Sequence, residues 1–350
     1  MTEVRFGRST HLVDLIAAVE RLAERLREQP DPDQDVAERL REEAALASLR
    51  LDGSQIEQVP TATPAASATG QTPKPRQGTW LDAMAERLDE ADDEEIMARE
   101  YQGVRAAMAA DDLADELLTA PIDTCAELHR RLTTGLLAEE HAGRPRVSEQ
   151  AVQDASVGRI IYFPTEPADI PSHLNLLAGW LETTGAREHA LVTSGVLHFE
   201  LLRIHPYEAA NGRLARAASR LVLRARGLDP SAVATPEVAL ARDPIGYYEE
   251  VAKTIRRRDL TIWLERWGEA VAAGLRQAVT EVVGQVARPP SRRPLEFVDG
   301  WGEPAFTIAD YRARVGVGPE DAKSDLRELL DAGRVRRVPG SRGLRYELVY

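Results

Sequence analysis

Residues His205-Pro206-Tyr207-Glu208-Ala209-Ala210-Asn211-Gly212-Arg213-Leu214-Ala215-Arg216 bring together residue types suited to phosphate chemistry. The imidazole of His205 can take a proton near neutral pH. Arg213 and Arg216, three positions apart on a helix, lie side by side and can each hold a phosphate group. Val192, Val196, Phe199 and Leu202 mark a buried helix face before the segment, and Pro206 must break that helix. Leu214, Ala218, Leu221, Val222 and Ala225 trace a second apolar stripe after it. The segment is therefore a loop gripped between two core helices, ending at a helix N-terminus. The backbone N–H groups of Ala210, Asn211, Gly212 and Arg213 point out of that end with the positive pole of the helix dipole, ready for an anion. With His205 as a base beside them, the chemistry is phosphoryl or nucleotidyl transfer. A single His beside Pro, or an Arg stripe such as Arg216, Arg220 and Arg224, reads as structure or a solvated face. The combination points to a site.

The elements that position this loop read as mostly α. A chain of 350 residues exceeds one ordinary core and implies two or three domains. Leu12, Leu15, Val19, Leu22 and Leu26 line one helix, which Pro30 and Pro32 end; Val36, Leu40, Ala44 and Ala47 line a second. The first stripe reads as a face packed on its own domain, with a coiled-coil homodimer as the alternative. Residues 1–57 form this N-terminal helical unit. Residues 58–78, rich in Pro, Thr, Ala, Ser and Gln, read as a flexible linker. The core runs over 79–287, where Val157–Phe163 supplies the one hairpin signal. A hinge is expected over 288–297. Residues 298–350 read as a winged helix: short helices at Phe306–Val315 and Pro319–Leu330, then strands at Arg334–Val338 and Leu344–Val349.

Composition excludes several classes. No run approaches the roughly 18 apolar residues of a membrane span, and Met1–Arg8 offers no signal-peptide core. The single cysteine, Cys125, excludes an internal disulfide and fits a reducing compartment, so the expected location is cytoplasmic. A net charge of −13 argues against a whole-chain nucleic-acid binder. Locally, Arg334, Arg336, Arg337, Arg342 and Arg345 make the wing basic and suited to phosphate contacts. The recognition-type helix instead carries Glu320, Asp321, Asp325, Glu328 and Asp331 against Lys323 and Arg327, which opposes insertion into a major groove. Protein contact or weak DNA binding through the wing is the reading.

The loop resembles the signature of Fic-domain proteins, His-Pro-Phe-x-(Asp/Glu)-Gly-Asn-Gly-Arg-x-x-Arg, and the similarity extends over roughly 91–282. Ile122–Leu132 resembles a helix near the start of that core, Arg146–Phe163 lies where the family has its β-hairpin flap, and Tyr247-Tyr248 and Thr261–Trp267 match later helices. The resemblance implies a Fic-type helical core with a small flap, a terminal winged helix, and transfer of AMP from ATP to a Tyr, Ser or Thr hydroxyl of a protein. His205 would be the base. Ala210, Asn211 and Gly212 would hold the α-phosphate, Arg213 and Arg216 the β- and γ-phosphates, and the flap would pin the target as an added strand.

Two departures from the pattern stand out. Ala209 replaces the acid that holds Mg²⁺ in the family, leaving Glu208, one residue earlier, as the candidate metal ligand if the loop twists; otherwise Glu208 faces solvent. Ala210 replaces Gly, which is tolerable at negative φ. Upstream, Ser48-Leu49-Arg50-Leu51-Asp52-Gly53 resembles the family's inhibitory motif, with Asp52 in place of Glu. The resemblance implies that Asp52 pairs with Arg216 and restrains ATP. Its shorter reach predicts a weak or water-mediated contact, a partial brake, and little effect of its substitution on stability. Asp52-Gly53 also reads simply as a helix end with a Gly cap. The alternative to an autoinhibited transferase is a catalytically weakened nucleotide-binding regulator acting through its winged helix.

Overall fold

The computed structural model describes residues 4–54, 56–60, 93–153, 158–286, 292–331, 333–340 and 343–349, in two compact units, Met1–Val283 and Gly284–Tyr350. The expected linker falls outside the described residues from position 61 onward.

In the first unit, helices α1 (Thr10–Arg27) and α2 (Gln34–Leu51) open the chain. Ser9 caps α1 by accepting from the Leu12 amide, and the α1 stripe of Leu12, Val19, Leu22 and Leu26 is buried in the unit's own core. That stripe is therefore unavailable for a coiled coil. Helix α3 (Asp93–Met108) and helix α4 (Pro121–Thr133) follow, then strands β1 (Val152–Gln153) and β2 (Ile160–Tyr162), then α5 (Ile170–Trp180). The strands pair antiparallel, Val152 with Tyr162 and Gln153 with Ile160, giving the small hairpin where the β-branched run led us to expect one.

Helices α6 (Ala190–Ile204) and α7 (Asn211–Ala225) are the packed pair at the centre, followed by α8 (Pro236–Leu240), α9 (Pro244–Arg257) and α10 (Thr261–Val286). Every α6 residue except Arg203 is buried, as expected of a helix enclosed on all sides. Indoles from α10 dock on it without stranding polar groups: Trp263 donates to the Gly195 carbonyl and Trp267 to Ser194 Oγ, each at 2.8 Å. A Cβ on Gly195 would lie 2.7 Å from Leu264 and 2.8 Å from Trp267, so only glycine permits that approach. Helix α2 lies against α3, α7 and α8, which brings its C-terminal end to the start of α7.

The second unit comprises α11 (Arg292–Gly300), β3 (Ala305–Phe306), α12 (Ile308–Val315), α13 (Pro319–Asp331), β4 (Val335–Gly340) and β5 (Gly343–Leu348), with sheet order β3-β5-β4. Of the stretch 288–297, residues from Arg292 onward are described and lie in α11. Pro294 falls in the first turn of α11, where a missing N–H costs no helical bond, and Phe297 and Val298 enter the unit's aromatic core. Asp325, one of the acids of α13, is turned inward and accepts from the Tyr311 hydroxyl at 2.7 Å. Around β4 and β5, Arg334 pairs with Asp299 and Arg336 with Glu347, while Arg337 and Arg345 are exposed.

Candidate active site

The loop between α6 and α7 is bounded by two residues in the left-handed region, His205 at φ 51° and Ala210 at φ 57°. The first stops α6, its N–H still bonded to Leu201 O at 2.9 Å; the second is the N-cap of α7. Ala210 thus occupies a conformation that glycine adopts freely and alanine at a cost of about 1–2 kcal/mol, contrary to the negative φ expected. Inside the loop, Asn211 Oδ1 accepts from the Tyr207 amide at 2.9 Å and its Nδ2 donates to the Tyr207 carbonyl at 2.7 Å. Both ends of that buried amide brace the turn. The side chain of Asn211 thus shapes the loop.

Three residues to which the sequence reading gave no role in the site fix this loop from outside. His129 of α4 stacks on Tyr207 with ring centroids 4.2 Å apart. Its Nδ1 accepts from the Gly143 amide at 2.8 Å, so Nε2 carries the proton and donates to the Ala209 carbonyl at 3.1 Å. Burial pushes this imidazole down to about 4, which keeps it neutral. Arg146, buried at the start of the flap, donates through Nε to the His205 carbonyl at 2.7 Å and through its other nitrogens to the Ser148, Thr165 and Ile204 carbonyls. The third, Tyr248, belongs to the cradle at the start of α7.

In that cradle, Asp52 Oδ1 accepts from Arg216 Nη2 at 2.8 Å and from the Tyr248 hydroxyl at 2.7 Å; its Oδ2 lies 3.4 Å from Arg213 Nε. Ser48 adds its hydroxyl and carbonyl oxygens as acceptors for Arg216, both at 2.8 Å. The expected weak or water-mediated contact is corrected to a direct charge-assisted bond. The shorter side chain suffices because α2 approaches closely: a Cβ on Gly212 would stand 2.6 Å from Asp52 Oδ1 and 2.7 Å from the Tyr248 hydroxyl. Asp52 is also the helix end that the Gly cap indicated. Gly53, at φ 89°, donates to Arg50 O and Ser54 to Leu49 O, the paired bonds of a Schellman motif.

Burial tends to raise the Asp52 pKa, but Arg216 and Arg213 outweigh it and hold the carboxyl below its ordinary value. Burial, with the charge of Arg146 added, lowers His205 to about 4, so its imidazole is neutral at pH 7 and able to accept a proton. Its Nδ1, together with Nε and Nη1 of Arg213 and Nη1 of Arg216, is buried without a hydrogen-bond partner. A cavity of about 470 Å³ joins His205, Ala210–Arg213, Asp52 and Tyr248 to Val152 and Gln153 of the flap. That volume falls within the range of small-molecule sites. The arrangement can hold a polyanion beside a neutral base.

Residues 119–223 match the Fic/DOC family profile. Over that stretch, under a third of its length, the chain is similar to Fic domains. A relative named protein adenylyltransferase Fic, from Nematostella vectensis, is 30% identical over 110 residues, which make up 31% of this chain and 24% of that protein. The match therefore spans about a quarter of the relative's length. Among solved structures, a Fic family protein from Desulfovibrio desulfuricans G20 superposes with a TM-score of 0.60 at 21% identity, covering 99% of this chain and 98% of that one. Fic-1 (aa134 - 508) from C. elegans gives 0.50 at 16% identity, covering 79% and 73%. At those identities the likeness is one of fold.

The Fic-like loop of this chain does not fit a protein-held Mg²⁺. Ala209 offers no carboxylate. Both oxygens of Glu208 are engaged by the Val147–Gln150 segment: Oε1 by the Val147 amide at 3.2 Å, Oε2 by the Ser148 hydroxyl at 2.7 Å and Gln150 Nε2 at 3.3 Å. Glu208 therefore neither faces solvent nor turns to the cradle, which corrects its candidacy as metal ligand. Among the described residues, no group of three or more His, Cys, Asp or Glu could hold a metal ion. Nor is any described helix long and apolar enough to cross a membrane.

Proposed function

We propose that this chain transfers AMP from ATP to a Tyr, Ser or Thr hydroxyl of a protein, under restraint by Asp52. The observation that carries the proposal is the neutral His205 opening onto the same cavity as the α7 N-terminus and Arg213, with Arg216 buried behind Asp52. His205 takes the proton of the attacking hydroxyl, the oxygen bonds to the α-phosphorus, and pyrophosphate leaves. The loop amides and Arg213 and Arg216 stabilise the phosphates, and Asp52 must move off the arginines first. No step is routed through a protein-bound metal. The flap, with Ile160 and Phe163 exposed, offers an edge on which a target segment adds as a strand. The family match and the name of the Nematostella relative support this reading. Incubation with labelled ATP followed by mass spectrometry should reveal AMP on a protein hydroxyl. His205→Ala should abolish transfer and leave ATP binding nearly intact; transfer at the wild-type rate would overturn the assignment.

A second reading, a nucleotide-binding regulator with weakened chemistry, is favoured by Ala209 and by the direct Asp52 contact. There the second unit, read as a winged helix, does the work through protein or weak DNA contact. DNA affinity of the full chain across a salt series tests it, since phosphate contacts by Arg337 and Arg345 predict a steep salt slope.

A further inference from the structure

Arg213 carries a second carboxylate. Glu100 of α3 places Oε1 3.0 Å from Arg213 Nη1, while Asp52 of α2 places Oδ2 3.4 Å from Nε on the other side of the same guanidinium. Neither carboxylate meets those nitrogens in hydrogen-bonding alignment; both nitrogens remain buried and without a hydrogen-bond partner. Arg216 differs. It is fully buried and held in good geometry by Ser48 and Asp52, with no contact to Glu100.

The two arginines are thus neutralised from two elements, and the contacts are not redundant. Moving α2 away releases Arg216 but leaves Arg213 paired with Glu100. A carboxylate that served to aim Arg213 would be expected to grip it in aligned, bidentate fashion. A misaligned ion pair, on a Glu100 side chain that is 25% exposed, instead cancels charge while leaving the donors free to be recruited. An incoming polyphosphate must compete with it.

We propose that Glu100 is a second, independent restraint on the nucleotide site, acting on Arg213 as Asp52 acts on Arg216. This rests on the nucleotide reading given above. It predicts a brake that yields only in part when Asp52 alone is removed, because Arg213 stays partly neutralised.

The test is the ATP dissociation constant of the full chain by calorimetry, for wild type, Glu100→Gln, Asp52→Ala and the double variant. Glu100→Gln keeps the side chain's size and exposure, and circular dichroism checks its fold. Loss of one partly exposed ion pair should tighten ATP binding about two- to fivefold. The gain should shrink in high salt and persist in the Asp52→Ala background, although the two gains need not sum, because both carboxylates pair with Arg213. Unchanged or weaker ATP binding by Glu100→Gln, with tight binding by Asp52→Ala, overturns this inference alone and makes Glu100 a residue that positions Arg213. Failure of all four proteins to bind ATP overturns the nucleotide reading, and this inference with it.

Discussion

Asp52→Ala should make the empty protein less stable and the nucleotide complex more favourable, by related amounts. The substitution removes one carboxylate from three partners: Arg216 Nη2 at 2.8 Å, the Tyr248 hydroxyl at 2.7 Å and Arg213 Nε at 3.4 Å. Arg216 is 0% exposed, so its charge cannot turn to solvent, although Ser48 keeps two of its contacts. A charge-assisted hydrogen bond contributes about 1.5–3 kcal/mol. Asp52 itself is 23% exposed, so water can enter the gap and return part of that loss. A net loss of about 2 kcal/mol is the resulting magnitude, well above the near-zero effect expected of an exposed ion pair. For a unit of this size it corresponds to a fall in melting temperature of about 3–4 °C. ATP supplies the missing anion. The variant should therefore bind ATP more tightly, by up to about 30-fold if the whole 2 kcal/mol is recovered. Thermal melts of the two proteins at rising ATP should converge, the variant gaining more at each concentration. In Asp52→Glu an added methylene must fit beside Gly212 and Tyr248, so that variant should loosen the brake. Equal melting temperatures and equal ATP affinities for wild type and Asp52→Ala would refute the reasoning and leave Asp52 as a helix end alone.

Ala210→Gly should stabilise the protein by about 1 kcal/mol in chemical denaturation, because φ 57° strains alanine and not glycine; destabilisation would mean that the loop relaxes without its Cβ. Ala209→Asp should make ATP affinity respond to Mg²⁺, measured with and without chelator, whereas wild-type affinity should respond little, because its loop offers the metal no carboxylate. Burial holds His198 well below its ordinary pKa and His129 at about 4. The unfolded chain therefore binds more protons below pH 6.5, and stability, complete above that value, must fall as pH drops towards the folded pKa values. His198, His129 and His205, all held down by burial, together should remove roughly 3–4 kcal/mol between pH 7 and 5.5, measured by urea denaturation. A flat profile would show that they are charged in the folded protein.

The sequence by itself determined the helical architecture around the loop and the placing of the loop. Apolar spacing over Val192–Leu202 and Leu214–Ala225, broken by Pro206, is local information: each helix buries a face set by its own periodicity. The same kind of signal located the flap and the two N-terminal helices. Tertiary structure decided what each loop residue does. Asn211 and Glu208 are polar and lie at the right place in sequence, yet one braces Tyr207 and the other faces the 147–150 segment, because side-chain direction on an irregular loop follows from neighbours distant in the chain. The backbone sign of Ala210 was likewise hidden, since a left-handed turn is imposed by closing the loop between two packed helices. His129 and Glu100 carried no local signal, and for Arg146 and Tyr248 the sequence indicated an element but no role. They reach the site only because α4, the flap, α9 and α3 pack around it. The reach of Asp52 depended on how closely α2 approaches α7, a spacing that Gly212 permits and no reading of residue types contains.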